Sequence, residues 1–186
     1  MQRRYERLVT SHFSCVHTVA AGLRALPSIA DSFAATQAAW RFYANERVRL
    51  PQLAEPLIAC CRTQMVGACR EYCLVAMDWS GIHLDHAGKL DRVELFDRDD
   101  LGYELFTALA LSDTDGRPLA PVSLDLRAAK GLYTTRSEEL LPVPCQLDAL
   151  PPMMEHVAGL QLGKTPVFII DREGDSIGHH RQFAAE

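Results

Sequence analysis

The sequence lacks several features that would assign it to a common class of protein. Its 186 residues contain no apolar run approaching the roughly 20 residues that cross a bilayer. The first residues include the arginines of a signal peptide, but polar side chains interrupt what would have to be its apolar core. There is no Walker A lysine motif, no dinucleotide-binding glycine fingerprint, no internal repeat and no low-complexity tract. We therefore expect a cytoplasmic protein that uses neither of these phosphate-binding loops.

The cysteines also lack the spacing of a metal or disulfide framework. None of the six forms a CxxC pair, and four lie between residues 60 and 73, where the pattern predicts a helix running into a strand. We interpret this cluster as reduced cysteines of the core. The chain is long enough for one sizeable core, or for a small helical domain followed by part of a larger one.

The net charge of −5 is unevenly distributed along the chain. Residues 1–50 contain seven arginines and three acidic residues, a net charge of +4, so the remainder carries −9. A basic segment followed by an acidic body is typical of a protein that binds nucleic acid with its first part and places carboxylates, with a metal ion, in the rest. The alternative is chance variation along a short chain.

Three helices are predicted in the first part of the chain. They cover about residues 5–25, residues 32–45 after a capping Asp31 or Ser32, and about residues 52–71. The second has an inward face formed by Ala35, Ala38, Ala39 and Phe42. Its polar stripe, at steps of four residues, consists of Gln37, Arg41 and Asn45.

After residue 71 the pattern changes from helix to strand. An apolar strand at 73–77 is followed by a hairpin at 103–126, whose turn is DTDG. A helix at 151–162, with proline at its start and glycine after its end, leads to a last strand at 166–170. We therefore predict two domains, 1–71 and 72–186.

Two of these strands end in aspartate, CLVAM at Asp78 and VFII at Asp171. If the last strand returns parallel beside the first, with the intervening helix as the crossover, both carboxylates lie at one edge of the sheet on strands about 4.8 Å apart. Carboxylates so placed can share a Mg²⁺ ion that activates an attacking water or hydroxyl. The alternative is an ordinary α/β sheet in which neither aspartate is catalytic.

Two other groups of polar residues are weaker candidates. His83, Asp85 and His86 resemble half of a metallohydrolase ligand set, with a solvated loop as the alternative. His179 and His180 fit the surface of a terminal helix. The acids after Asp171 lack the spacing of a calcium-binding loop.

Three blocks of the sequence become informative together: SFAATQAAWRFYANERV at 32–48, VAMDWS around Asp78, and VFIIDREGDS around Asp171. The first resembles the A-x-x-x-A-x-Y-R-F-x-x-N-x-x-V segment in the DNA-binding region of the DDE transposases of the insertion-sequence-four group, which contains the transposon-five enzyme. The other two resemble that group's first and second catalytic aspartate blocks, and their separation of 93 residues is similar to the family's.

The resemblance implies a fold of the α+β or α/β class. An N-terminal helical DNA-binding region would be followed by a ribonuclease H-like domain with the order β-β-β-α-β. It also implies a cut-and-paste transposase that binds the terminal repeats of a mobile element and cleaves phosphodiester bonds with Mg²⁺ or Mn²⁺. Such a protein would be associated with the nucleoid, would form a homodimer in a synaptic complex and would have no membrane partner.

The same resemblance assigns roles to individual residues. Asp78 and Asp171 would be the catalytic metal ligands. The residues that contact the element ends would be Gln37, Arg41, Asn45, Arg47 and Arg49. Arginine contacts of this kind mostly neutralise phosphates, so binding should weaken steeply with salt. The alternative for this stripe is an ordinary solvated helix face.

The sequence departs from the family pattern in two places. Trp79 and Ser80 follow the first aspartate where the family commonly has D-T-T or D-T-S, and the family's third acid, a glutamate in a downstream Tyr-Arg-Glu-Lys signature, is missing. The expectation is therefore the N-terminal part of a transposase, from a truncated or interrupted gene, with an incomplete catalytic domain and little cleavage activity of its own. The alternatives are a non-catalytic DNA-binding or regulatory module derived from a transposase, and a metal-dependent phosphohydrolase that uses the HLDH stretch.

Overall fold

A computed structural model describes residues 3, 5, 6, 32–84, 88–95, 99–174, 176 and 178. The chain divides into two units, residues 1–49 and 50–186. The division falls before the helix predicted at 52–71, because buried side chains of that helix join the same core as the strands. The boundary at residue 71 was predicted from the change in pattern from helix to strand.

The first unit contains helix α1, Ser32–Tyr43, as predicted. Its alanine-rich sequence favours a helix, and two residues of the predicted inward face, Ala39 and Phe42, are buried. The ring of Phe42 stacks on that of Tyr5, with centroids 6.2 Å apart. The helix predicted at 5–25 lies almost entirely outside the described residues.

The second unit begins with helix α2, Leu50–Ala68, close to the predicted bounds. Its buried residues recur at helical spacing and form one face, which consists of Ala54, Cys61, Met65 and Ala68. A third helix, α3, Leu150–Gly159, begins with Pro151 and Pro152 in its first turn, as the sequence predicts. None of the helices described in the chain is long and apolar enough to span a bilayer.

In the described part of the second unit, six strands form one mixed sheet. They are β1 Tyr72–His83, β2 Val93–Glu94, β3 Leu101–Ser112, β4 Pro118–Ala128, β5 Gly131–Thr134 and β6 Thr165–Ile170. The order across the sheet is β5-β4-β3-β1-β6, and β2 pairs with β3 outside this path. β1 and β6 are parallel, and the other pairs are antiparallel. The predicted hairpin and the predicted parallel return, with α3 in the crossover, are confirmed.

One face of the sheet packs against α2 and α3. Alternate residues of β1 point to this core, and Trp79 stacks on Phe106 of β3 with centroids 4.3 Å apart and an interplanar angle of 8°. On β6, Phe168 and Ile170 pack at the edge of the same core. The opposite face is more open, since Ile169 remains 44% exposed.

Three of the clustered cysteines belong to this core. Cys61, Cys69 and Cys73 are buried and free, whereas Cys60 is exposed. Burial raises the pKa of Cys61 to about 11 and that of Cys73 to about 12, with smaller contributions from neighbouring cysteines. These two thiols therefore remain protonated at neutral pH and are poor nucleophiles and metal ligands. The interpretation as core cysteines is confirmed for these three.

The turn between β3 and β4 is joined to the start of β1 by one carboxylate. Asp113 Oδ1 accepts a hydrogen bond from the backbone N–H of Arg70 at 2.8 Å. Its Oδ2 accepts from the N–H groups of Glu71 and Tyr72, both at 2.9 Å. These donors, led by that of Tyr72, hold the pKa of Asp113 well below its usual value.

We expect Asp113→Asn to lower stability at neutral pH and to change its pH dependence. An amide has only one acceptor oxygen, so it cannot reproduce all three hydrogen bonds. The contribution of Asp113 is fully present above its unfolded pKa of about 3.9 and is lost as the pH falls toward the depressed folded pKa. The difference in urea unfolding between wild type and variant should therefore be constant from pH 7 to about pH 4 and should shrink progressively as the pH falls further. A difference that stays constant below about pH 4 would contradict the assigned contacts.

Candidate metal centre

Asp78 and Asp171 lie side by side at the boundary of the parallel strand pair. The register pairs Leu74 with Val167 and Met77 with Ile170, and the two aspartates are the next residue on each chain. Neighbouring strands are about 4.8 Å apart. The predicted placement on adjacent parallel strands is therefore confirmed at the level of the backbone.

The alternation of side chains along β1 puts Asp78 on the more open face of the sheet. Met77 points to the helices, so Asp78, the next residue of the strand, points away from them. Asp171 directly follows Ile170, the last residue of β6. Both aspartates are exposed. After Asp171 the chain enters a 3-10 turn, Arg172–Gly174. A Cβ at Gly174 would lie 2.5 Å from the side chain of Ile170, so this turn packs closely on the strand end.

The side chains nearest to Asp78 are polar, whereas the adjacent positions on the same face of the sheet are apolar. Ser80 Oγ donates a hydrogen bond to Asp78 Oδ2 at 3.1 Å. Thr107 of β3 lies directly opposite Asp78 in the antiparallel register. The adjacent row contains Ala76, opposite Leu109 and beside Ile169. Neither Ser80 nor Thr107 was predicted as a site residue, because the first strand was expected to end at residue 77, before Asp78 and Ser80.

The two carboxylates fit a hard divalent cation. Oxygen ligands are those that Mg²⁺ and Mn²⁺ prefer, and Mg²⁺ is commonly bound through one or two carboxylates with water in its remaining positions. Elsewhere in the described part of the chain, as here, no three side chains of His, Cys, Asp or Glu come together to hold a metal.

The HLDH stretch is described only in part. His83, at the end of β1, places Nδ1 2.6 Å from Oδ1 of Asp100. Asp85 and His86 lie outside the described residues, as do His179 and His180. The phosphohydrolase interpretation therefore rests on one described histidine, which is already paired with a carboxylate.

The predicted DNA-binding residues all lie in the first unit. Gln37 and Arg41 are exposed one turn apart on α1, as the stripe requires. The helix ends at Tyr43, however, so Asn45 is not on the helical stripe. Its Oδ1 instead accepts a hydrogen bond from the backbone N–H of Arg47 at 3.0 Å. This bond lies in the turn after the helix, where asparagine side chains commonly hydrogen-bond the neighbouring backbone.

The chain that follows the helix carries the other predicted contacts. Arg47 and Arg49 are both exposed. Trp40 and Tyr43, which flank Arg41, are 67% and 58% exposed, an unusual position for large aromatic side chains. No known protein family has a sequence model that matches the chain, and no curated protein is detectably similar to it.

Proposed function

We propose that this protein is transposase-like: its first unit binds the ends of a mobile DNA element, and its second contributes two metal-binding aspartates to phosphodiester cleavage and strand transfer. The observation that supports this proposal is the parallel pairing of β1 with β6, in which Asp78 and Asp171 each follow one member of the last pair, Met77 and Ile170. The ribonuclease H-like assignment and the nucleoid location belong to the same proposal.

In this proposal the chain's own residues bind the cation and the DNA. Asp78 and Asp171 would hold Mg²⁺ or Mn²⁺, which when bound supplies Lewis-acid activation of water or hydroxyl and stabilises the leaving oxygen. Because both aspartates are exposed, their carboxylates are accessible to a DNA backbone. Arg41, Arg47 and Arg49 would neutralise phosphates of the element ends. A homodimer would bring two such ends together.

A non-catalytic DNA-binding or regulatory module is the second candidate. It is favoured by one observation: the described residues add no third acid to the aspartate pair. Two carboxylates cannot fully ligate two metal ions, so we propose that this chain alone cleaves DNA weakly. The two candidates share the DNA-binding unit and differ in whether the pair binds metal.

Metal binding by the aspartate pair separates these candidates. We expect wild-type protein to bind Mn²⁺, measured by electron paramagnetic resonance of the free ion, and expect Asp78→Asn and Asp171→Asn each to abolish this binding. Each substitution removes one of the two charged ligands. The matched control is Asp115→Asn, which changes an exposed carboxylate in the β3–β4 turn and should leave binding unchanged. Equal Mn²⁺ binding by all four proteins would reject the site.

DNA binding tests the other half of the proposal. A duplex selected from a random-sequence pool by repeated binding to the wild type serves as the probe. We expect Arg41→Ala to weaken its binding about tenfold and to reduce the salt slope, d log K/d log[salt], by about 1, because one phosphate contact is lost. Arg117→Ala, an exposed arginine of the second unit, is the control. Asp78→Asn should bind the duplex normally. Unchanged affinity in Arg41→Ala would refute the assigned contact.

A further inference from the structure

Ser80 makes the one hydrogen bond described for the carboxylate of Asp78. Its Oγ lies 3.1 Å from Oδ2, and both side chains are exposed. We propose that Ser80 is a positioning residue of the metal centre, which holds the Asp78 carboxylate in the orientation that binds the cation. This inference rests on the proposed metal-binding role of the aspartate pair and adds a residue to it.

The backbone around the two residues is fixed by the sheet. Residues two apart on a strand point to the same face, so Ser80 and Asp78 are neighbours on the open face. Both lie within the continuous pairing of β1 with β3, where Asp78 is opposite Thr107 and Ser80 is opposite Leu105. With the backbone held in this way, the remaining freedom of Asp78 is rotation of its side chain. The hydroxyl restricts that rotation by holding Oδ2.

The hydrogen bond also gives the two carboxylate oxygens of Asp78 different roles. Oδ2 accepts from Ser80, and no donor within the described ranges is assigned to Oδ1. Oδ1 is therefore the atom available to a cation, while Oδ2 stays oriented by the serine. Hydrogen bonds of this kind to ligating carboxylates commonly change metal affinity by 10–100-fold when removed, because they set the ligand's orientation.

A purely structural role for Ser80 makes a different prediction. An exposed hydrogen bond between two side chains contributes little to folding, because water replaces it when it is lost. The neighbouring side chain, Trp79, is buried on the opposite face and is untouched by changes at Ser80. Metal affinity and stability should therefore separate in a serine variant.

The test is Mn²⁺ affinity in Ser80→Ala, Ser80→Thr and wild type. We expect Ser80→Ala to bind Mn²⁺ about tenfold more weakly, the lower end of the range because the bond is exposed. Ser80→Thr should restore binding to within about threefold of wild type, since threonine keeps the hydroxyl and suits a strand. The thermal midpoint should be the same in all three proteins.

The outcomes distinguish failure of this inference from failure of the metal site. If wild type does not bind Mn²⁺, the proposed metal centre itself is rejected. If wild type binds and Asp78→Asn does not, but Ser80→Ala binds as tightly as wild type, only the positioning role is overturned. Equal loss in the alanine and threonine variants would also overturn it, because the effect would not follow the hydroxyl.

Discussion

Replacing Arg136 with alanine is expected to lower the free energy of unfolding of the second unit by about 3–5 kcal/mol. Asp125 of β4 is 1% exposed, and Arg136 is its partner. The guanidinium donates from Nη2 to Oδ2 at 2.5 Å and from Nε to Oδ1 at 3.3 Å. Removing the arginine leaves a carboxylate in the interior without its counter-charge, and that desolvation penalty dominates the result.

A second arginine provides the matched control. Arg127 lies on the same strand and reaches Glu104 at 3.4 Å, but its side chain is 41% exposed. Solvent screens such a pair, so Arg127→Ala should cost less than about 1 kcal/mol. Unfolding in urea can be followed through the buried Trp79 in a Trp40→Phe background, because these are the two tryptophans of the chain. Similar losses in the two arginine variants would contradict the assigned burial effect.

The ion pair of Asp125 and Arg136 also packs near the core side of the strand segment that contains Asp78. Asp125 is opposite Phe106 in the β3–β4 register, and Phe106 stacks on Trp79. Trp79 immediately follows Asp78 in the chain and points to the other face of β1. The ion pair thus fixes the core side of the same strand segment that presents the aspartate. Its loss should therefore weaken metal binding as well as folding.

The predictable part of the second unit was the part with a local signal. Apolar runs, the DTDG turn and the proline and glycine around α3 each mark an element within a few residues. The parallel return of β6 was a supposition from the order of elements, which agreed with the order that the family resemblance implies. The neighbouring positions of Asp78 and Asp171 could be inferred because each aspartate follows an apolar run.

The missed features depend on contacts distant in sequence. β1 was expected to end at residue 77, because Asp78 interrupts the apolar pattern, yet the strand continues to His83 along β3. β2 and β5 are two and four residues long, too short for a period to be visible. Asp113 and Asp125 look like ordinary polar residues until their partners are known. The exception is local and lies in the first unit, where the helix ends at Tyr43, before Asn45.

The second large effect is expected in the crossover helix, where Met153→Ala should lower the free energy of unfolding by about 2–5 kcal/mol. Met153 is 0% exposed and belongs to the core formed with β1 and β6. Truncating it removes apolar burial and leaves a cavity in the core that the helix shares with the sheet. Urea unfolding in the same Trp40→Phe background measures the loss.

Met154 is the control, because it is the same residue type one position along and is only partly buried at the edge of the core. Met154→Ala should cost less than half as much as Met153→Ala. An equal cost would show that the core is not centred on Met153.

Metal binding should partly offset this loss of stability. If the aspartate pair binds metal, Mn²⁺ at 100 times its Kd should raise the free energy of unfolding of the Met153 variant by about 2.7 kcal/mol, since the ion binds only the folded state. The same addition should not change the free energy of unfolding of the double variant Met153→Ala, Asp78→Asn, because that protein lacks one of the two metal ligands.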